Sequence, residues 1–498
     1  MLLKELFARQ DFFRIEGNEE TNVAGIVSDS QKVMPGDVFV CVKGSKRDGH
    51  DFIPEALKRG CSALVLERTD EFFSAKLREN IRQIRPDTPP VLVMAEDSSK
   101  LLAGMAAAYY GNPASELVMI GITGTKGKTT TAYMIRSILE NAGRRVGLIG
   151  TNEVIIGREH FPSRNTTPDA LTLHKLLRDM ADQGMDTAVM EVSSQGVKRK
   201  RTEGISFDYG VFTNLSPDHI APGEHADFQE YLTCKSRLFG QCKTGLVNGD
   251  DIYHEEILRG HTCIAETFGT GKNCMLRAER TEYLFLNGHP GVRFKVGGLM
   301  DFSVELPMPG AFSVYNALAA ISVCRHFRVR ESDIQRALLT AGVRGRMETI
   351  PGPGGSMILI DYAHNPMALH SLLGNLKQYP VGRLICLFGC GGDRPVLRRK
   401  QMGRISGDMA DLTILTNDNP RSEDPEKILE QIAEGIRETQ GRYLIIADRR
   451  EAIRYGIEML GKGDMLVLAG KGHETMQEIK GRALPLDERK IVQEILAK

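Results

Sequence analysis

The 498-residue chain lacks several features, and each absence removes a class of explanation. It has no charge imbalance, because Lys and Arg total 64 and so do Asp and Glu. A formal charge of zero gives no general pull toward nucleic acid or an anionic membrane, so neither partner is expected. No apolar run approaches the roughly 18 residues of a membrane span. The start, Met1-Leu-Leu-Lys-Glu-Leu6, meets charges too early for a signal-peptide core. The nine cysteines include no CxxC pair, which offers no zinc site and predicts a reducing, cytoplasmic setting. Low-complexity tracts and short repeats are also missing. What is left is a soluble chain long enough for about two to four domains, with small molecules as partners and a monomer as the expectation.

The most informative stretch present is Leu117-Val-Met-Ile-Gly-Ile-Thr-Gly-Thr-Lys-Gly-Lys-Thr-Thr130. An apolar run ends at Ile122, a glycine-rich turn follows, and Ala132, Ile135, Ile138, Leu139 and Ala142 then recur at helical spacing. Strand, glycine loop and helix is the context of a phosphate-binding loop. The spacing is the shorter GxxGKTT, since Ile122 stands where GxxxxGK[ST] wants glycine. Gly124 and Gly127 let backbone N–H groups turn toward an anion, with Thr125 and Lys126 between them. The helix start adds partial positive charge. Lys128 is placed to reach the outer phosphates of ATP, and the Thr129 hydroxyl, followed by Thr130, to ligate Mg2+.

The order of strand-like, helix-like and loop stretches along the chain predicts an α/β protein of three domains. Residues 1–100 read as a small α/β domain with strands at Val23–Val27, Val38–Val42 and Ala63–Leu66. Its polar loops around Ser30 and around Ser45, Lys46 and Arg47 could hold a base and ribose, though ordinary surface loops have the same composition. The polar, proline-rich residues 85–90 predict a linker there or just after. Residues 101–342 form the central domain. Strands ending at Glu191 and before Ser216-Pro-Asp-His219 should bring Thr129, Glu191 and His219 to one rim of a parallel sheet. His219 is an uncommon Mg2+ ligand, so a second metal or a hydrogen-bonding role stays open. A helix predicted over 228–242 carries Lys235 on its apolar face, either snorkelling outward or aimed at the site. An ammonium beside metals is electrostatically wrong, whereas a carbamate made from CO2 would be an anion able to bind them. Lys198-Arg-Lys-Arg201 reads as a solvated basic run, residues 275–306 as β-hairpin material, and residues 310–326 as a helix.

Residues 343–498 alternate strand and helix, with strands at Met357–Ile360, Leu384–Phe388, Leu412–Leu415, Tyr443–Ile446 and Met465–Leu468. That pattern predicts a doubly wound, Rossmann-like sheet with its polar loops on one edge.

Together GTKGKTT, NTTPD, EVSS, TNLSPDH, the lysine of CKSRLF, GAFSVYNALAA, GRME, DYAHNP, GCGGDR, DNPR and GKGHE resemble, in order, the Mur ligase family of ATP-dependent amide-forming enzymes of peptidoglycan synthesis. The resemblance implies an N-terminal uridine-binding domain, a central ATPase domain and a C-terminal amino-acid-binding domain. The loops at Asp29-Ser30 and Gly44–Asp48 look like those of the branch that adds the third amino acid to UDP-N-acetylmuramoyl-L-alanyl-D-glutamate. The resemblance then assigns roles. Lys128, Glu191, His219 and a carbamylated Lys235 would serve catalysis, with Thr129, Glu191, His219 and Lys235 organising two Mg2+ ions. Asn316 and Asp361 would touch adenine and ribose, and Arg346 phosphate. Ser30, Ser45, Lys46, Arg47, Asn165, Thr166, Thr167, Ser194, Arg199 and Arg201 would line the UDP-sugar dipeptide. Arg394, Asp418, Asn419, Pro420, Arg421, Gly470 and Glu474 would hold the incoming amino acid. Arg421 decides which one, because a planar guanidinium pairs with a carboxylate bidentately. meso-Diaminopimelate carries a distal carboxylate and ammonium, whereas lysine, the alternative, ends in ammonium alone. Departures from the common pattern are Gln195 after EVSS, the longer segment Asp218–His225, and Pro485–Arg489. A nucleotide switch that makes no amide is the other class, and it leaves the last domain without a job.

Overall fold

The computed structural model describes the chain except residues 8, 9, 11, 12, 45, 46, 68–70, 219, 222 and 498. Ser45, Lys46 and His219 therefore lie outside the described residues. The chain forms two compact units, one of residues 1–128 and 143–267, the other of residues 129–142 and 268–498.

The first unit contains a five-stranded sheet in the order Phe13–Glu16, Val91–Ala95, Ala63–Leu66, Val38–Val40, Ile26–Val27, with only the first strand antiparallel. Val38, Val40, Ala63 and Val65 bury one face with Leu101, Leu102 and Met105. Phe39, Leu64 and Leu66 bury the other with Ile53, Leu57 and Leu77. Alternate residues point to opposite faces, so strands buried on both sides read as unbroken apolar runs. Residues 85–90 join helix Glu71–Ile84 to strand Val91–Ala95 of this same sheet.

The same unit contains the strands Cys242–Asn248, Phe207–Phe212, Val118–Thr123, Thr187–Glu191 and Val146–Ile149, adjacent in that order and parallel. Two antiparallel strands, Glu153–Ile156 and Glu159–Pro162, extend them. Glu191 pairs with Ile122, and Phe212 with Thr123. The carboxyl ends of three neighbouring strands thus come out together beside the glycine loop.

The helix expected over 228–242 is shorter. It runs Phe228–Ser236, tightens to a 3-10 turn at Arg237–Gly240, and the chain then enters the strand starting at Cys242. Leu238 and Phe239 keep helical spacing through that turn and both are fully buried, so the apolar pattern outlasts the α-helix.

The second unit contains the antiparallel strands Leu276–Leu286, His289–Gly298 and Phe302–Leu306, and helix Ala311–His326. It also holds a six-stranded sheet ordered Glu348–Pro351, Met357–Asp361, Met465–Ala469, Leu384–Phe388, Leu412–Leu415, Tyr443–Ile445. All but the first run parallel. The Tyr379 hydroxyl joins the two parts, donating to the Gly291 carbonyl (2.9 Å) and accepting from the Gly310 N–H (3.2 Å).

Candidate functional site

In the first unit the glycine loop is held from below. The N–H groups of Thr125 and Lys126 donate to the Asn214 backbone oxygen (2.8 Å) and Oδ1 (3.0 Å). The Thr213 hydroxyl and the Asn214 amide donate to the Lys126 carbonyl (2.6 and 3.0 Å). A Cβ on Gly124, whose φ is +148°, would sit 2.0 Å from Thr213 Oγ1, so only glycine lets the loop lie this close. Asn214 lies in TNLSPDH but had no assigned role, because a side-chain clamp on a distant backbone shows only in the fold.

Lys128 and Lys235 both donate to the Gly124 carbonyl, at 2.8 and 2.7 Å, and Lys128 also reaches the Thr125 carbonyl at 3.1 Å. Lys235 is only 2% exposed, so it points inward and does not snorkel. Its Nζ also stands 4.6 Å from the Tyr231 ring centroid. Burial first, and the Lys128 charge second, push its ammonium well below the ordinary lysine range. The Tyr231 hydroxyl lies 3.1 Å from Thr125 Oγ1, a further loop contact not foreseen.

Glu191 is 1% exposed at its strand end. Its carboxylate accepts from the Thr151 N–H (2.8 Å) and hydroxyl (3.0 Å). Thr151 in turn lies 3.0 Å from the Thr166 hydroxyl, and Thr167 donates to the Glu191 carbonyl at 2.9 Å. Arg201 donates to the Thr167 carbonyl (2.6 Å) and Ser194 Oγ lies 3.0 Å from His225 Nε2. NTTPD, EVSS and Arg201 are therefore one connected group. Lys198 is not simply solvated, as it pairs with Glu230 at 2.8 Å, whereas Asn165 and Arg199 are exposed. Ser30 is buried and donates to Glu55 (2.7 Å), and the Arg47 carbonyl accepts from the Gly44 N–H (2.9 Å).

A buried hard carboxylate at the loop's side suits Mg2+, which takes one or two carboxylates plus phosphate oxygens. Among the described residues no group of three or more His, Cys, Asp or Glu gathers as a self-sufficient metal cage.

In the second unit Thr129 and Thr130 are buried in the first turn of helix Lys128–Asn141. The Thr131 hydroxyl donates to the buried Asn316 amide oxygen at 3.4 Å. Asp361 Oδ2 accepts from the Met347 N–H (2.9 Å), and the Arg346 guanidinium lies 4.7 Å from the Tyr362 ring centroid. The loops after the parallel strands share one edge and are tied to each other. The Gly470 N–H donates to the Asp361 carbonyl (3.0 Å), and the Gly392 N–H to the Asn419 carbonyl (2.9 Å). A Cβ on Gly392 would lie 2.0 Å from the Pro420 carbonyl oxygen, so that contact too requires glycine. Arg421 donates to the Gly392 carbonyl (2.6 Å), and the exposed Arg394 stands on the same loop. Lys471, unassigned from sequence, donates to Asn419 Oδ1 (3.0 Å) and Glu474 Oε2 (2.9 Å). Burial opposes ionisation of Glu474, yet Lys471 and Asn419 hold its carboxyl below the usual range. A hairpin absent from the sequence reading, Met476–Ile479 with Arg482–Pro485, braces this edge. Gln477 donates to the Asp418 carbonyl (2.7 Å), and Glu478 lies 3.3 Å from Arg421.

Comparisons with known proteins bear on this arrangement. Residues 22–110 match the family description "Mur ligase family, catalytic domain", residues 122–324 "Mur ligase middle domain", and residues 345–472 "Mur ligase, glutamate ligase domain". A protein of Caldanaerobacter subterraneus subsp. tengcongensis named UDP-N-acetylmuramoyl-L-alanyl-D-glutamate–2,6-diaminopimelate ligase is 40% identical over 486 residues, covering 97% of this chain and 96% of that one. A Clostridium perfringens protein of the same name is 38% identical over 505 residues, covering 100% and 99%. A solved structure of a ligase of that name superposes with a TM-score of 0.70 at 28% identity, covering 100% of this chain and 99% of the other. The Thermotoga maritima MurF ligase in complex with ADP shares the fold, with a TM-score of 0.61 at 20% identity over 96% of each chain.

Proposed function

The chain belongs to the Mur ligase family, and on that premise we propose that it joins meso-2,6-diaminopimelate to the D-glutamyl carboxylate of UDP-N-acetylmuramoyl-L-alanyl-D-glutamate, with ATP as co-substrate, during peptidoglycan precursor synthesis. We read it as a cytoplasmic monomer acting on small molecules. Among the described residues no helix is long and apolar enough to cross a membrane. The observation that carries the choice of amino acid is the C-terminal rim. There Arg421 offers a cation to a distal carboxylate, and Glu474, tied to the same loop through Asn419 (2.9 Å), offers an anion to a distal ammonium.

In this reading the D-glutamyl carboxylate attacks the γ-phosphorus of ATP, giving ADP and an acyl phosphate. The diaminopimelate amine attacks the activated carbonyl, the tetrahedral adduct collapses, and phosphate leaves. Lys128 and the 124–130 backbone steady the negative charge of the transferring phosphoryl group. Bound Mg2+ would add further charge neutralisation there, held by Thr129, Glu191, His219 and a carboxylated Lys235. Lys235 suits that modification because its amine is buried beside a second ammonium. Addition to CO2 forms an N–C bond, releases a proton and replaces an awkward cation with an anion. Asn316 and Asp361 take the adenine and ribose, and Arg346 a phosphate. Ser30, Ser45, Lys46 and Arg47 take the uridine diphosphate end. Asn165, Thr166, Thr167, Ser194, Arg199 and Arg201 take the muramoyl dipeptide. Arg394 takes the carboxylate beside the reacting amine, while Asp418, Pro420 and Gly470 shape the distal pocket.

A competition assay with purified enzyme, ATP and the UDP-muramoyl dipeptide tests the proposal. With diaminopimelate and L-lysine at equal concentration, the product should carry the diaminopimelate mass. A lysine product would overturn the choice of amino acid, and ATP turnover with no amide from either would overturn the whole reading.

A further inference from the structure

We propose that Lys471 sets the enzyme's choice between an amino acid whose far end is a carboxylate–ammonium pair and one whose far end is an ammonium alone. The inference rests on the proposed function and deepens it. Lys471 follows strand Met465–Ala469 and is 0% exposed. Its ammonium donates to Asn419 Oδ1 (3.0 Å) and Glu474 Oε2 (2.9 Å), and Asn419 Nδ2 donates to that same Oε2 (2.9 Å). The three side chains close a triangle between the DNPR and GKGHE loops. Lys471 is sealed within it, whereas the Glu474 side chain remains 31% exposed and open to a ligand.

The charges of this triangle decide what the pocket attracts. Glu474 presents a carboxylate whose negative charge is already matched by a buried cation. A lone ammonium entering there meets a pair of net zero charge, and the Arg421 guanidinium on the adjoining loop, only loosely paired with the half-exposed Glu478 (3.3 Å), offers it no anion. An ammonium that arrives with its own carboxylate loses nothing, because Arg421 takes the carboxylate and Glu474 accepts from the ammonium. The other acids around Lys471 do not reverse this. Asp418 is 8% exposed and its Oδ1 accepts from the Asn419 N–H (2.7 Å), while the fully buried Glu488 is paired with Arg449 (2.8 Å). Lys471 thus acts by rejecting the competitor as well as by holding Glu474 in place, the repulsive half of specificity. Without its charge, Glu474 becomes an uncompensated anion that welcomes any ammonium.

The test compares initial rates of wild type, Lys471→Met and Lys471→Gln with meso-diaminopimelate and with L-lysine, at saturating ATP and UDP-muramoyl dipeptide. The ratio of kcat/KM for diaminopimelate over lysine should fall by about ten-fold or more in both variants, chiefly through a lower lysine KM, with the KM for ATP unchanged. Lys471→Gln keeps a donor for Asn419 and carries the comparison if the methionine variant does not fold. An unchanged ratio, with both amino acids slowed alike, would mean a merely structural lysine and overturn the inference. A wild type that uses no diaminopimelate at all would instead overturn the function on which it rests.

Discussion

The Gly124 carbonyl receives two ammonium groups, Lys128 at 2.8 Å and Lys235 at 2.7 Å, and that crowding makes Lys235 chemically unusual. Two like charges on one buried acceptor disfavour each other, and Lys235 has almost no water to relieve it. If it works as a carbamate, Lys235→Ala should lower the rate of amide formation by on the order of 10²–10³-fold, the scale of losing one preorganised electrostatic group. Acetate or propionate should partly restore it. Full activity in Lys235→Ala would end the role. The outward or inward direction of Lys235 could not be read from sequence, because both fates produce the same helical spacing. Arg421 makes a separate prediction. Arg421→Ala should raise the diaminopimelate KM by roughly 100-fold, near the upper range for a charge-assisted hydrogen bond, and leave the ATP KM alone. Equal changes in both constants would contradict its placement.

The C-terminal helix Glu488–Leu496 serves the rim through one buried ion pair. Arg449 and Glu488 are both fully buried at 2.8 Å, and Arg449 also donates to the Asn417 (3.2 Å) and Ala469 (2.9 Å) carbonyls, where two rim loops begin. Glu488→Ala strands a buried guanidinium and should cost about 3–5 kcal/mol, whereas Arg449→Met with Glu488→Leu should cost much less. Denaturant unfolding of both variants checks the order, and equal losses would contradict it. The nearby hairpin was legible in principle. Lys480 and Gly481 form a two-residue turn with φ of +48° and +73°, the sign that hairpin turns need, but the flanking strands Met476–Ile479 and Arg482–Pro485 are too short and polar to stand out. Gln477→Ala removes the Asp418 contact and should raise the diaminopimelate KM about five-fold, a loss of roughly 1 kcal/mol.

At the scale of the whole chain, alternation made the C-terminal sheet legible, because strands buried on both faces are written as apolar runs ending at polar loops. The glycine loop was legible because strand, turn and helix agree around it. The loop's clamp by Asn214 and the Lys471 triangle were not, since both depend on chain segments far apart in sequence. Stability of the whole molecule also carries a pH signature. His174 is buried in helix Ala170–Asp182, and among the described residues its ring nitrogens make no hydrogen bond. Burial pushes its pKa down from 6.5 to about 4. The unfolded chain therefore takes up a proton between those values that the fold refuses. Its contribution is complete above pH 6.5 and lost as pH falls toward 4, by at most about 3 kcal/mol. His174→Gln should flatten that slope in urea unfolding, and parallel slopes would refute it. The central claim is that ATP activates the D-glutamyl carboxylate, and isotope transfer reads it directly. With 18O in that carboxylate, one label per turnover should appear in the released phosphate, and unlabelled phosphate accompanying amide product would contradict the account.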